Sequence, residues 1–178
     1  WPIILIGILS IVSGIAYTGG PFPLAYHGLG DIFVFIFFGI IAVSGTYYLQ
    51  VGSINFLSII MGTIIGMLST AILVVNNLRD IVSDQISGKK TLAVIFGKNF
   101  SRIEYTLLVL IPFILLKFIY FYIINKMSIL LVCFLIPIPI SLIKKVYMSN
   151  GKDLNNVLNQ TARLLFTLSL GLSIGLII

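Results

Sequence analysis

Charge is what this chain has least of. Charged residues make up 9% of the 178 and hydrophobic residues 59%, whereas an ordinary soluble domain carries roughly 25% charge. Too little polar surface remains to coat a globule, so the chain reads as an integral membrane protein. Cysteine is almost missing: Cys133 stands alone inside an apolar run, which excludes an intrachain disulfide and leaves packing as its economical role. Histidine is as scarce, with His27 alone. Acidic residues number five against eleven Lys and Arg, an excess of six positive charges. In so apolar a chain, that excess points to a cytoplasmic side and to contact with anionic lipid or an anionic substrate, and makes nucleic acid a poor partner. The chain begins at Trp1 within an apolar run, with no basic n-region or small-residue cleavage site. No signal peptide is expected, and part of the parent domain is expected upstream.

What is present is a series of apolar runs, several near the length of about 20 residues that a spanning helix needs, rather than the alternating strands of about 10 residues of a barrel. The expected fold is an all-α polytopic membrane helical bundle, with residues 1–178 as one transmembrane domain and no internal repeat. Six spans can be drawn, at residues 1–18, 32–51, 54–75, 103–122, 127–143 and 161–178. Tight connections, Gly52-Ser53 and Asn125-Lys126, alternate with three long polar ones that share a face by parity. Nine of the eleven Lys and Arg lie in or beside the second and third long connections, which places that face in the cytoplasm.

The first long connection, Tyr17 to Asp31, holds four glycines and two prolines, which forbids a regular helix there. His27, beside Tyr26, suits a proton shuttle, a diphosphate contact or an ordinary interfacial side chain. Phe33, Phe35, Phe37 and Phe38 line the second span, where packing and lipid contact account for them and an apolar ligand could lie along them. Gly62 and Gly66, and Gly171 and Gly175, have the spacing that lets membrane helices approach closely. Pro137 and Pro139 should kink or unwind the fifth span. Beyond a turn at Asn150-Gly151, the spacing of Leu154, Val157 and Leu158 predicts a short amphipathic helix before the last span.

The polar side chains concentrate in residues 76–98, NNLRDIVSDQISGKKTLAVIFGK. Asn76, Asp80 and Asp84 recur every four residues, so on a helix they stack along one face, where two carboxylates repel by roughly 0.2–0.5 kcal/mol unless a cation lies between them. Charged groups at bilayer depth cost about 2.5–3.5 kcal/mol each, which assigns this island to the interface, facing a cavity. Oxygen ligands suit a hard cation such as magnesium, bridging carboxylates to a substrate phosphate, with Lys89 and Lys90 close by to meet the remaining charge. The plainer alternative is a solvated basic loop. SGKKT is not a nucleotide-binding loop, because Ser83 stands where that motif needs glycine and no soluble strand precedes it.

NNLRDIVSDQISGKKTLAVIFG closely resembles the second aspartate-rich motif of the intramembrane aromatic prenyltransferases, the superfamily of 4-hydroxybenzoate polyprenyltransferase. YTGGPFPLAYHGLGDIFVFIFFGIIAVSGTYYLQ and LNQTARLLFTLSLGLSIGL are similar to the 1,4-dihydroxy-2-naphthoate polyprenyltransferase branch of menaquinone biosynthesis. The resemblance implies a bundle of about nine helices in the full fold, about six of them here, with a cavity open to the cytoplasm of a bacterial inner membrane or, alternatively, in a plastid membrane. It implies Mg2+ holding a polyprenyl diphosphate, and 1,4-dihydroxy-2-naphthoate capturing the allylic cation with loss of carbon dioxide and diphosphate, to give demethylmenaquinol. On this chain it assigns Asp80 and Asp84 to metal and catalysis, Asn76 to the same ligand face, and Arg79, Lys89 and Lys90 to diphosphate. Relatives of the ubiquinone branch carry a tyrosine-lysine motif where this chain has FPLAYHG, so Tyr26 or His27 takes that lysine's place. The family's first aspartate-rich motif is absent, Asp31 being the only acidic residue before Asp80, so these residues alone are expected to be inactive. Other acceptors, such as hydroxybenzoate, homogentisate or a porphyrin-derived ring, and a non-catalytic scaffold or transporter, are the alternatives.

Overall fold

A backbone in hydrocarbon must satisfy its own hydrogen bonds, and the apolar runs do so as helices. The computed structural model describes residues 1–19, 23–124 and 127–177, and among these there is no strand. Gly20, Pro21 and Phe22 of the first connection and the tight connection at Asn125-Lys126 lie outside the described residues. Among the described residues, four stretches are long and apolar enough to cross a membrane: Gly30–Val51, Phe56–Arg79, Met127–Met148 and Gly151–Ile177. The other two expected spans are helical but differ from that pattern. Ile3–Tyr17, within α1 (Pro2–Thr18), is a shorter apolar helix. Residues 103–122 fall in α6 (Leu92–Ile119) and the π-helical turn Tyr120–Ile124 that follows; α6 starts eleven residues earlier than drawn and carries Lys98, Arg102, Glu104 and Lys117.

The second span is α2 (Gly30–Val34), a π-helical turn (Phe35–Ile41) and α3 (Ala42–Val51), stopped by Gly52 in the left-handed conformation at φ +76°. The third, α4 (Phe56–Arg79), starts where the Asn55 side chain accepts from the Ser58 N–H at 2.8 Å. It runs four residues past its expected end at residue 75, because backbone hydrogen bonding continues where side chains turn polar. Next come α5 (Ile81–Ile86) and α6, which kinks at Gly97, where φ is +83°. Met127–Leu135 is a 3-10 helix, and Pro137 and Pro139 then open α7 (Pro137–Met148), since a first helical turn needs no proline N–H. The amphipathic helix expected at Leu154 is not separate: α8 (Leu154–Ile177) begins there and continues through the last span.

α4 is the centre of the bundle. Its apolar window is 61% buried, against 11–28% for the other three spans, so most of its surface meets the other helices while most of theirs does not. Ile64, Leu68 and Val75 pack in one cluster with Val109 and Leu116 of α6, Leu142 of α7 and Leu164 of α8. The small-residue pairs serve this packing. A Cβ on Gly39 would stand 2.4 Å from the Gly66 Cα and 2.5 Å from the Gly62 carbonyl oxygen, and one on Gly175 would stand 3.0 Å from the Ser128 carbonyl oxygen.

One buried polar pair ties α6 to α8. The Thr161 hydroxyl donates to the Val157 carbonyl, which leaves the fully buried Tyr105 hydroxyl to donate to Thr161 Oγ1 at 2.8 Å. Tyr105→Phe is expected to destabilise the complete protein by about 1 kcal/mol, the net value of such a bond, read as a lower unfolding midpoint in detergent. A midpoint equal to that of the unmutated protein would contradict this role.

Candidate functional site

The island forms where α4 leaves the core. The Asp80 N–H bonds to the Asn76 carbonyl at 3.1 Å and the Asp84 N–H to the Asp80 carbonyl at 2.8 Å. The four-residue ladder therefore survives the bend between α4 and α5, and its three oxygen-bearing side chains lie along one face. After α5, Gly88 adopts φ +76°, and this left-handed turn folds Lys89 back onto Asp84. The Lys89 N–H reaches the Asp84 carbonyl at 2.9 Å, and its Nζ reaches Asp84 Oδ2 at 3.2 Å. Thr91 then caps α6 by accepting from the Val94 N–H at 3.3 Å.

The repulsion expected along the ladder is relieved by cations of the island itself. Arg79 donates Nε and Nη2 to the two oxygens of Asp80, at 2.7 and 2.5 Å, and Nη2 also to Asn76 Oδ1 at 2.8 Å. This bidentate bond holds the Asp80 carboxyl below the usual carboxylate range, so it is ionised at neutral pH. Both pairs are partly screened from solvent, with side-chain exposures of 25% and 33% for Arg79 and Asp80 and of 22% and 13% for Lys89 and Asp84.

Lys90 points outward, but its N–H donates to the Tyr26 carbonyl at 3.0 Å, which draws the first connection against the island. Tyr26 thus meets the island through its backbone, while the His27 ring turns its Nδ1 toward the Pro23 carbonyl at 2.9 Å. Three further residues were not assigned to the site from the sequence. Asn155, at the start of α8, accepts from Arg79 Nη1 at 2.8 Å, and in sequence its neighbourhood is marked by the apolar spacing of Leu154, Val157 and Leu158 rather than by its amides. Asn77 and Asp31 are buried, 4% and 5% exposed, with Asn77 Oδ1 and Asp31 Oδ1 unpartnered among the described residues; the doubled asparagine and a lone acid before a long apolar run are the available signals.

Near Asp31 in the chain, Phe33, Val34, Phe37 and Phe38 face Ser10, Ser13, Gly14 and Tyr17 of α1 across a groove of about 610 Å³. Phe33 and Phe37 stack with ring centroids 5.5 Å apart, whereas Phe35 is turned to Gly66. An ionic island at one end of a span and an aromatic groove along the neighbouring span suit a ligand that is charged at one end and apolar over the rest. Asp80 and Asp84 could hold a hard divalent cation. Carboxylate oxygens carry spare lone pairs beyond their bonds to Arg79 and Lys89. No group of three or more His, Cys, Asp or Glu forms among the described residues, so further ligands would come from water or a bound anion.

The model of the UbiA prenyltransferase family matches residues 1–173. The chain belongs to the UbiA prenyltransferase family. With its four apolar spans, this UbiA-family chain is an integral membrane protein. It is similar to 1,4-dihydroxy-2-naphthoate octaprenyltransferases of Haemophilus influenzae, 48% identical over 58% of this chain and 33% of the relative, and of Escherichia coli, 46% over 56% and 32%. It is also similar to the UbiA prenyltransferase domain-containing protein 1 of Mus musculus, 32% identical over 91% of this chain and 46% of the relative. The chain therefore matches about a third to a half of the length of these curated relatives.

Proposed function

We propose that the complete protein transfers a polyprenyl group from a polyprenyl diphosphate to 1,4-dihydroxy-2-naphthoate, releasing carbon dioxide and diphosphate and giving demethylmenaquinol. The observation that carries this reading is the Asn76, Asp80 and Asp84 ladder with Arg79 and Lys89, in a chain that also holds a phenylalanine-lined groove. Residues 1–178 form part of one transmembrane catalytic domain, with the island facing the cytoplasm of a bacterial inner membrane, the side favoured by its lysines and arginines.

Magnesium fits the donor set as an ion that takes one or two carboxylates together with substrate phosphates. Asp80 and Asp84 would hold it, with Asn76 on the same face. When bound, it supplies Lewis-acid stabilisation of charge building on the departing diphosphate. The chain's own groups do the rest. Arg79 and Lys89, already fixed by Asp80, Asn155 and Asp84, present preorganised positive charge to the diphosphate oxygens, and Lys90 adds an exposed one. Phe33, Phe37 and Phe38 line an apolar groove that excludes water from the allylic cation and seats the prenyl tail or the acceptor ring.

Acceptor identity is open to direct assay. Purified complete protein, given a polyprenyl diphosphate and magnesium, is expected to prenylate dihydroxynaphthoate at least tenfold faster than hydroxybenzoate or homogentisate. Exclusive use of hydroxybenzoate would overturn the branch, and failure with every hydroxylated aromatic would overturn prenyl transfer itself.

A further inference from the structure

Asp31 lies in the first turn of the second span, where the helix end favours a carboxylate, yet one of its oxygens is left over. It is 5% exposed, and its Oδ1 has no hydrogen-bond partner among the described residues, although a buried carboxylate oxygen is costly to leave unpaired. Groups from four elements surround it. The Tyr17 hydroxyl, from α1, lies 3.1 Å from where a Cβ on neighbouring Gly30 would stand, and Tyr17 feels the charge of Asp31. The Thr70 hydroxyl, from α4, faces the Asp31 carbonyl at 3.5 Å. Glu104, from α6, and Lys89, from the turn after α5, are both within its electrostatic reach, and Lys89 also holds Asp84 at 3.2 Å. Asp31 thus lies between two features that have separate tasks. On one side is the ionic island, through Lys89. On the other is the aromatic groove, whose lining includes Tyr17, Phe33 and Val34.

Asp31 does not itself line the groove, but Tyr17 and Phe33 beside it do, so a flat ring resting there against Phe33 would bring a hydroxyl substituent toward the Asp31 carboxyl. We propose that Asp31 receives the hydroxyl of the aromatic acceptor and takes its proton during prenyl transfer, an inference that rests on the prenyl-transfer reading. The bond from the prenyl C1 to the diphosphate oxygen breaks, and its electron pair leaves with the diphosphate. A ring carbon of the acceptor forms the new bond to C1. The hydroxyl proton passes to the Asp31 carboxylate as that oxygen becomes a carbonyl. When the attacked carbon sheds its carboxylate as carbon dioxide, the electron pair of that bond restores the aromatic ring and Asp31 returns the proton to the oxygen. No oxidant or reductant is required.

The test uses the complete protein with dihydroxynaphthoate, a polyprenyl diphosphate and magnesium. Asp31→Asn is expected to lower kcat by about 10²- to 10⁴-fold, the range of a general base, with KM for the diphosphate changed less than twofold. Its unfolding midpoint should be no lower than that of the unmutated protein, because the substitution removes an unpaired buried charge. Asp31→Ala should regain at least tenfold activity on addition of formate, and Asp31→Glu should keep part of the turnover. Turnover of Asp31→Asn within threefold of the unmutated protein would overturn the inference. So would recovery on raising magnesium rather than formate, which would make Asp31 a metal ligand, or a loss that accompanies a lowered midpoint without formate rescue, which would make it structural. Product from the unmutated protein separates these failures from failure of the prenyl-transfer reading, under which no variant comparison could stand.

Discussion

Asp80→Ala and Asp84→Ala, each made in the complete protein, are expected to lower magnesium-dependent prenyl transfer by at least about 100-fold, the scale of losing one preorganised charge contact at a reacting centre. The two need not fail in the same way. Asp80 is bonded through both oxygens to Arg79, which Asn76 and Asn155 also hold. Its removal leaves the guanidinium in place but takes away a ligand, so the loss should fall mainly on kcat. The Asp84 carboxylate is bonded to Lys89 alone among the described residues. Its removal frees that lysine as well, so KM for the diphosphate should rise in addition. Asp153→Ala is the control, since Asp153 lies exposed in the 3-10 turn Gly151–Asp153, away from the ladder in sequence; its turnover should stay within twofold. Full activity in both ladder variants would remove the basis for the metal assignment.

The second large effect concerns packing. Gly39→Leu is expected to prevent correct assembly of the bundle, and Gly39→Ala to cost about 1–3 kcal/mol, the usual penalty for overfilling a packed interior. The neighbours that a Cβ would strike are the Gly66 Cα at 2.4 Å and the Gly62 carbonyl oxygen at 2.5 Å. Both are backbone, so relief requires the second span to move away from α4, and with it the groove and Asp31. Gly45 offers a comparison within the same span, because a Cβ there would meet nothing within 4 Å. Gly45→Ala should be neutral or stabilising by up to about 1 kcal/mol, as alanine is the better helix former. Unfolding midpoints in detergent measure both; equal midpoints for the two alanine variants would refute the close approach.

Much of this was legible locally. Low charge and long apolar runs require backbone groups to be satisfied within each segment, which dictates membrane helices whatever the tertiary arrangement. The ladder of Asn76, Asp80 and Asp84 follows from the helical repeat alone, and Gly88 marks the turn that returns Lys89 to Asp84. The closeness signalled by Gly62 and Gly66 was readable as well, but not its partner, Gly39 in a π-helical turn. Apolarity stops at residue 75 in α4 and starts at residue 161 in α8, whereas hydrogen bonding carries those helices to Arg79 and from Leu154.

Tertiary structure decided which elements meet. It put α4 in the centre, brought Asn155 to Arg79 across 76 positions of sequence, and set the Tyr26 carbonyl on the Lys90 N–H. It also buried Asp31, an acid that in sequence is only the last polar residue before an apolar run. The physical reason is the range of the forces. Residue spacing determines which side chains share a helix face, since that depends on a repeat of a few residues. What covers a face depends on packing between distant segments, which leaves no periodic mark within either one.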